Sequence, residues 1–202
     1  MKKIIKKLKK SVRFLKEKDS DLIERLVQEQ ALSHRIAHYF EKLLSNYSWY
    51  KESSLAVDIE YNKNIDSEKV LPKEKCKFCD GIICGGTKCY IKEKNCKGEK
   101  LLPKKCRPDI SLHKRGTHDK NILVVEIKKE KKRDKKDFAK LSILTCYKNV
   151  YKYEIGVYID IEKDDKPEYV FFYKGVKTKE KDLSLKKIED ILKLNSETRI
   201  QT

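Results

Sequence analysis

The sequence predicts an α/β domain in which helices flank a central mixed sheet and a cysteine-rich insert separates the sheet strands. Apolar residues recur at helical spacing near both ends of the chain, and short apolar or alternating runs typical of strands lie between them. Six of the seven cysteines fall within residues 76–106. The 202 residues are enough for one domain with a substantial core. We place a basic helical extension at 1–20, the domain at 21–202 and the insert at 64–106.

Local patterns predict the individual elements in order. Leu, Ile and Val recur on one helical face within residues 1–18 and 21–46, which predicts two helices. Strands are expected at 54–61, 107–113, 121–129, 153–161 and 168–175, and further helices at 137–149 and 186–195. The basic first helix could contact phosphates or an anionic membrane surface, or it could pack on the domain.

Composition indicates the class of partner and the compartment. Lys and Arg number 49 against 32 Asp and Glu, which gives a formal net charge of +17. Such a field attracts polyanions and favours nucleic acid, with a solvated lysine surface as the alternative. The chain has no run of about 18 apolar residues and no apolar signal-peptide core, so we expect no membrane span and a cytoplasmic location. In a reducing cytoplasm, clustered cysteines indicate a bound metal rather than disulfides.

Three charged residues lie in runs that otherwise predict core strands: Asp109 in RPDISLH, and Glu126 and Lys128 in NILVVEIKK. Glu126 and Lys128 are two positions apart and share a strand face, and antiparallel pairing of the two runs can bring Asp109 beside Glu126. Two carboxylates and an ammonium group suit phosphodiester hydrolysis, because Mg²⁺ takes carboxylate oxygens, water and substrate phosphate as ligands. A neighbouring lysine can orient the water and stabilise the charge that develops on phosphorus.

These runs resemble the motif of the PD-(D/E)XK nuclease superfamily, whose members have a restriction-endonuclease-like fold. Asp109 follows Pro108 as in the first half of the motif, and Glu126 and Lys128 form the second half. Other acidic–x–Lys matches occur in the chain, but only the match at Glu126 lies in a strongly apolar strand.

Upstream patterns extend the resemblance. Glu29 begins the pattern E-x4-HR, residues 58–62 read DxEYN, and RPDIxxHKRG begins at Arg107. Together with LVVEIKK they are similar to an uncharacterised bacterial group within the superfamily. The resemblance spans about residues 25–160 without the insert, and it implies the core order α-β-β-β-α-β.

The resemblance implies a metal-dependent endonuclease that hydrolyses nucleic acid, with DNA favoured as the substrate. It implies that Asp109, Glu126 and Glu29 hold Mg²⁺ or Mn²⁺ and that Lys128 assists the water. Nucleases of this fold that cut paired strands are often dimers, so a homodimer stays open. The alternative function is a catalytically silent, zinc-stabilised module of the same fold that binds nucleic acid or protein.

Other polar residues near these strands are weaker candidates. The residues expected to contact nucleic acid are His113, Lys114, Arg115 and Lys129. In the first strand, Asp58 and Glu60 should face one side, opposite Val57 and Ile59. On the helix after the motif, Asp137 and Lys140 are three positions apart, and we expect them on its solvated side rather than in the cleft.

The cysteine insert predicts a zinc site. Its first four cysteines, with the spacing C-x2-C-x4-C-x4-C of a zinc knuckle, are Cys76, Cys79, Cys84 and Cys89. A ribbon-like set that uses Cys96 and Cys106 with the first two also fits, and an iron–sulfur cluster is a third option. A metal there can stabilise a polar insert that has no core of its own. Cys146, in the predicted helix 137–149, is more simply a small core residue.

Overall fold

A computed structural model describes most of the chain, and structural statements refer to the residues that it describes. These are residues 1–25, 28–61, 63–64, 67–71, 74–76, 98–100, 104–129, 135–147, 149–162 and 165–183. The helix predicted at 186–195 and most of the cysteine insert lie outside them.

Four helices precede the first strand. They are α1 (Lys2–Lys18), α2 (Ser20–Glu24), α3 (Glu29–Leu44) and α4 (Ser48–Glu52). The prediction of one continuous helix over 21–46 was wrong, because Gln28 has an extended backbone with φ −59° and ψ 145°. The chain therefore changes direction there, and α3 begins at Glu29, one of the predicted site residues.

The apolar face of α1 is buried in the main core. Its residues Ile4, Leu8, Val12 and Leu15 have no exposed surface, and α1 packs along α3. This packing confirms the option in which the basic helix lies on the domain, since the apolar face that a membrane would need is already covered. Among the described residues, no helix combines the length and apolar character needed to cross a bilayer.

In the part of the chain that the structure describes, twelve strands, one further α-helix and a 3₁₀ helix (Glu180–Asp182) follow. The strands before the motif are β1 (Ala56–Ile59), β2 (Lys63–Asn64), β3 (Ser67–Glu68), β4 (Val70–Leu71), β5 (Glu74–Cys76), β6 (Gly98–Lys100) and β7 (Lys104–Lys105). Those that follow are β8 (Ile110–His113), β9 (Asn121–Lys129), β10 (Ile155–Ile161), β11 (Glu168–Tyr173) and β12 (Val176–Thr178), with α5 (Lys135–Thr145) between β9 and β10.

The main sheet has six strands in the order β1-β8-β9-β10-β11-β12. Every neighbouring pair is antiparallel except β9 and β10, which are parallel and joined through α5. A parallel pair needs a crossover of this kind, so α5 must pack back onto the sheet. The result is the predicted mixed α/β layer, with each predicted strand present in the described residues.

The two faces of the sheet have different coverings. One face carries Val125, Ile127 and Val157 and packs against α1 and α3 in the main core. The other face carries Val124 and Tyr158 and packs against α5 in a second cluster. Because side chains alternate along a strand, Glu126 and Lys128 lie on the α5 face together with Val124.

The α5 helix packs closely against a glycine on β10. A Cβ built on Gly156 would lie 3.0 Å from Thr145 Cγ2 and 3.2 Å from Leu141 Cδ2. Both contacts are with side chains of α5, so a larger residue would require these side chains to shift. The position of α5 matters for the site, because its first turns lie beside Glu126.

The insert leaves the domain through short antiparallel pairs. β4 pairs with β7, and β5 pairs with β6, where Cys76 lies opposite Gly98. The backbone N–H of Cys106 donates to the carbonyl of Lys69 at 2.8 Å, next to the β4–β7 pair. The cysteine-rich segment therefore begins and ends at paired backbone.

Candidate functional site

The carboxylates of the motif lie on neighbouring strands in matching positions. β8 and β9 pair antiparallel with Ile110 opposite Val125, and the same register continued by one residue sets Asp109 opposite Glu126. Residues directly opposite each other on antiparallel strands point to the same face. The pairing predicted for the two runs is therefore present, and it brings the carboxylates together on the α5 face.

Asp109 is held by the backbone of β9. The N–H of Ile127 donates to Asp109 Oδ2 at 2.6 Å, and the carbonyl oxygen of Asp109 accepts from the N–H of Glu60 at 3.3 Å. The Asp109 carboxylate thus takes the place of the backbone carbonyl that would accept from the Ile127 N–H if β8 continued. This bond orients Asp109 and leaves its Oδ1 for another ligand.

Glu126 is buried, with 2% of its side chain exposed. Its Oε2 accepts a hydrogen bond from Lys140 Nζ at 2.5 Å. Its Oε1 has no hydrogen-bond partner among the described residues. A buried carboxylate oxygen without a partner is costly, and it indicates a position where a further ligand belongs.

Lys128 has two acidic neighbours of its own. Its Nζ donates to Glu29 Oε2 at 2.7 Å and lies 3.5 Å from Asp137 Oδ2. The start of α3 therefore comes to the end of β9, as expected for Glu29. The contact that Glu29 makes is with the lysine of the motif, and in this structure it does not join Asp109 and Glu126 in a three-carboxylate group.

Burial raises the pKa of both carboxylates of the site. Burial raises the pKa of Asp109 to about 6, and the Ile127 N–H opposes this rise. Burial and the charge of Asp109 raise the pKa of Glu126 well above its usual range, although Lys140 opposes the change. A divalent cation would relieve both penalties, since it stabilises the ionised forms.

Both lysines stay protonated at neutral pH. Burial lowers the pKa of Lys128, but the hydrogen bond from its ammonium to Glu29 and the charge of Asp137 outweigh burial, and the pKa rises. The pKa of Lys140 likewise rises to about 12, because Glu126 outweighs the effect of burial. The site therefore has two permanent positive charges.

The expectation that Asp137 and Lys140 form the solvated side of their helix was wrong. Asp137 is buried, and only 18% of the Lys140 side chain is exposed. Lys140 Nζ lies 3.6 Å from Asp137 Oδ1 in addition to its bond with Glu126. Their i, i+3 spacing was the available signal, because it sets two opposite charges on one helix face beside the apolar stripe.

The donor set fits a hard divalent cation. Asp109 and Glu126 offer carboxylate oxygens, and one oxygen of Glu126 is buried without a partner. Mg²⁺ is usually bound through one or two carboxylates, with water and phosphate completing its shell. Among the described residues no group of three or more His, Cys, Asp or Glu is assembled, so two carboxylates are what this structure provides.

A second charged cluster lies on β1 and β8, centred on Asp58. His113 Nε2 is 2.9 Å from Asp58 Oδ2, and Arg115 donates to both carboxylate oxygens through Nε, at 2.8 Å, and Nη2. The bonds from Arg115 and His113 hold the pKa of Asp58 well below its usual range, despite burial. Asp58 is thus fully paired inside the protein, while Glu60 has left-handed backbone at φ 49° just after β1.

The four residues expected to contact nucleic acid differ in how exposed their charged groups are. His113 is buried against Asp58, whereas the side chain of Arg115 is 63% exposed although it binds the same carboxylate. Lys114 is half-buried in the turn after β8. Lys129 lies on the sheet face opposite Lys128, and its Nζ is buried with no hydrogen-bond partner among the described residues. Of the four, Arg115 has the most accessible charge.

The rest of the E-x4-HR pattern lies away from the carboxylates. Arg35 donates to Asp19 Oδ1 at 2.8 Å and to the Tyr39 hydroxyl at 3.0 Å, which ties α3 to the end of α1. His34 is exposed on the same helix. Of this pattern, only Glu29 reaches the motif.

Two cysteines of the chain, Cys106 and Cys146, are described with their side chains, and both are buried thiols that form no disulfide. Cys106 belongs to the second core cluster, where burial raises the pKa of its thiol to about 12. Cys146 is buried as predicted. The side chains of the other proposed zinc ligands (Cys76, Cys79, Cys84, Cys89 and Cys96) lie outside the described residues, so the zinc site stays a prediction.

Sequence reasoning missed Lys69, which lies at the base of the insert and is 2% exposed. Its Nζ donates to the Tyr153 hydroxyl at 2.9 Å and to the Tyr61 carbonyl at 3.3 Å. Burial lowers the pKa of Lys69 to about 8. No local pattern marks this residue among the many lysines of the segment, because its burial depends on contacts with distant strands.

Comparisons with known proteins gave no match: no family model, no curated protein and no solved structure is significantly similar to the chain.

Proposed function

We propose that the chain is a Mg²⁺-dependent endonuclease that hydrolyses phosphodiester bonds of nucleic acid, with DNA as its substrate. The observation that supports this most directly is the pairing of Asp109 with Glu126 across β8 and β9, with Lys128 on the same face. Glu126 has one buried oxygen without a described partner, as expected for a carboxylate that binds a cation.

The order of elements around the site also supports the proposal. The elements α3, β1, β8, β9, α5 and β10 follow one another as α-β-β-β-α-β, interrupted by the short helix α4 and by the insert. This is the core order of the PD-(D/E)XK superfamily, which the motif resembles. This order matters physically, because it brings the first turns of α3 and α5 to β9.

Each residue has a role that follows from its contacts. In hydrolysis a water oxygen bonds to phosphorus, one bond from phosphorus to a sugar oxygen breaks, and that oxygen takes up a proton. Mg²⁺, when bound, supplies a more acidic water and positive charge beside the phosphate. Asp109 and Glu126 would hold it, and Lys128 would orient the water and stabilise the developing negative charge. Glu29 positions Lys128 through their 2.7 Å ion pair.

The basic surface provides the affinity for the substrate. A net charge of +17 attracts a polyanion, and lysine contacts with the phosphate backbone position it without reading its sequence. Arg115 is the best-placed described residue of the β8–β9 turn for such a contact, because its guanidinium group is largely exposed. We therefore expect binding that weakens steeply with salt.

A second candidate function is a catalytically silent module of the same fold, stabilised by zinc in the insert, that binds nucleic acid or protein. Two observations favour it: no three-donor metal group is assembled in the described residues, and Lys140 already neutralises Glu126. This module would bind nucleic acid with the same salt dependence, but without turnover in any divalent cation.

Cleavage of supercoiled plasmid and of single-stranded DNA, with Mg²⁺, Mn²⁺ or EDTA, separates the two functions. Asp109→Asn, Glu126→Gln and Lys128→Met should each lower the cleavage rate by about 100-fold or more, since each removes charge that acts on the transition state. Asp119→Asn is the matched control, because Asp119 is exposed in the β8–β9 turn, at the opposite end of this hairpin from Asp109 and Glu126.

All variants need the same purification, so that a contaminating nuclease would cleave equally in each of them. Cleavage that persists at the wild-type rate in Asp109→Asn and Lys128→Met would refute the nuclease. Binding of DNA without cleavage in any of these cations would support the silent module instead.

A further inference from the structure

We infer that Lys140 is a resident cation of the acidic site, and that a divalent cation binds Glu126 only when it displaces the Lys140 ammonium group. The inference rests on the proposed function, because it concerns the same carboxylates. Its basis is the hydrogen bond of 2.5 Å from Lys140 Nζ to Glu126 Oε2, in a pair of which neither side chain is more than 18% exposed.

The contact places a positive charge on the carboxylate that the cation would use. Glu126 has its Oε2 bound to Lys140 and its Oε1 buried without a described partner. Lys140 also acts on Asp109, whose pKa its charge lowers against the effect of burial. A cation that enters at Oε1 would share this carboxylate with the ammonium group on Oε2, and it would be repelled at short range, where little water screens the two charges. Metal and lysine therefore compete.

Lys128, the other lysine of the site, does not compete with a cation for Glu126. Lys128 Nζ contacts Glu29 and Asp137, and no hydrogen bond joins it to Glu126 among the described residues. It can remain in place when the cation binds. The two lysines thus have separate tasks: Lys128 stays beside the reaction, and Lys140 neutralises the site until the metal arrives.

The displaced ammonium group has other acceptors within reach. Lys140 Nζ already lies 3.4 Å from the carbonyl oxygen of Arg107 and 3.6 Å from Asp137 Oδ1. A rotation of the side chain toward these oxygens releases Glu126 without moving α5. Displacement therefore costs one charge-assisted hydrogen bond, while the ammonium group keeps polar partners.

Two measurements on the full-length protein test the inference without relying on activity. Isothermal titration with Mg²⁺ and with Ca²⁺ compares wild type, Lys140→Gln and Lys136→Gln. Gln keeps a donor for Glu126 but removes the charge, so Lys140→Gln should bind the cations about tenfold tighter or more. Lys136 is exposed on the same helix, and its variant loses the same charge at the helix surface.

The second measurement uses the wild-type protein alone, which avoids any folding defect of the variants. Acetic anhydride modifies accessible amines, and mass spectrometry of peptides reports the modified fraction of each lysine. Saturating Ca²⁺ should increase modification of Lys140 severalfold, because the ammonium group leaves Glu126. Modification of Lys136 should not change.

The outcomes distinguish this inference from the proposed function. If wild type binds the cations but Lys140→Gln binds no tighter than Lys136→Gln, and Lys140 is modified equally with and without Ca²⁺, the inference is wrong and the proposed metal site stands. If neither wild type nor Lys140→Gln binds a cation, the metal site itself is wrong and both fail. Binding by Lys140→Gln alone would support the inference strongly.

Discussion

Asp109 and Glu126 lie opposite each other on antiparallel strands, and the N–H of Ile127 donates to Asp109 Oδ2 at 2.6 Å. Two acidic side chains in this position would repel each other without a neighbouring cation. The protein supplies Lys140 to one of them and a backbone donor to the other. The relationship depends on register, since a slip of one residue would send Glu126 to the opposite face.

Replacing Asp109 by Asn should separate stability from activity. The carboxylate has its pKa raised to about 6 by burial, so its ionised form at neutral pH costs folding free energy. Asn keeps an oxygen for the Ile127 N–H and has no charge. We expect the free energy of unfolding at pH 7 to stay equal or rise by about 1–2 kcal/mol, while cleavage is lost. Urea unfolding of wild type and variant gives the comparison, and a large destabilisation would mean that the charge of Asp109 is needed for the fold.

The buried Lys69 should make the folded protein more stable at alkaline pH than at neutral pH. Its pKa is about 8 in the folded protein, below the usual 10.5, so between these values the unfolded chain binds the proton more strongly. The free energy of unfolding should therefore rise with pH across this window, by up to about 3 kcal/mol, with the full penalty present below pH 8.

The difference between wild type and Lys69→Met isolates this contribution, because other groups that titrate in the same window are common to both proteins. We expect Lys69→Met to have a higher free energy of unfolding than wild type at pH 7, and this difference to shrink by pH 10. A difference that stays constant from pH 7 to pH 10 would show that Lys69 keeps its proton throughout. Lys152→Met, at an exposed lysine, is the control.

The position of Cys106 predicts which cysteines hold zinc. Its thiol is buried in the second core cluster with a pKa near 12, which disfavours the thiolate that zinc requires. Zinc content measured on the purified protein should therefore be unchanged in Cys106→Ala and should fall in Cys79→Ser. Equal loss in both variants would favour the ribbon-like ligand set that includes Cys106.

The first helix should behave as part of the core. Leu8 of α1 has no exposed surface and belongs to the main core, so Leu8→Ala should lower the free energy of unfolding by about 3 kcal/mol. Lys3→Ala, on the exposed face of the same helix, should change it by less than about 0.5 kcal/mol. Thermal or urea unfolding measures both, and equal small effects would mean that α1 is a loosely attached extension.

Local patterns were sufficient for five of the six strands of the main sheet, but not for β12, for the short strands β2 to β7 or for every helix boundary. Alternation and apolar runs place strands within the predicted 54–61, 107–113 and 121–129, because side-chain period and burial are local properties. The apolar spacing over 21–46 continues across Gln28, whose extended backbone divides the helix. Helical periodicity carries no information about such a bend, which depends on how α3 packs against the sheet.

The part of the candidate site that depends on the alternation of side chains along a strand was predictable from the sequence. Glu126 and Lys128 share a face because they are two apart, and the resemblance to a nuclease motif added Glu29. Lys140 and Asp137 were assigned to solvent, because a charged residue beside an apolar stripe is usually exposed. Their burial follows from the way in which α5 lies against β9, which no local pattern encodes.

The sequence by itself determined which residues point the same way along each strand, and it therefore singled out Asp109, Glu126 and Lys128. Only the tertiary structure decided which charges meet. The packing of α5 against β9 brings Lys140 to Glu126, and the packing of α3 against β9 brings Glu29 to Lys128, across separations of 14 and 99 residues. The physical reason is that side-chain direction follows from the backbone of one element, whereas an ion pair depends on how two elements pack.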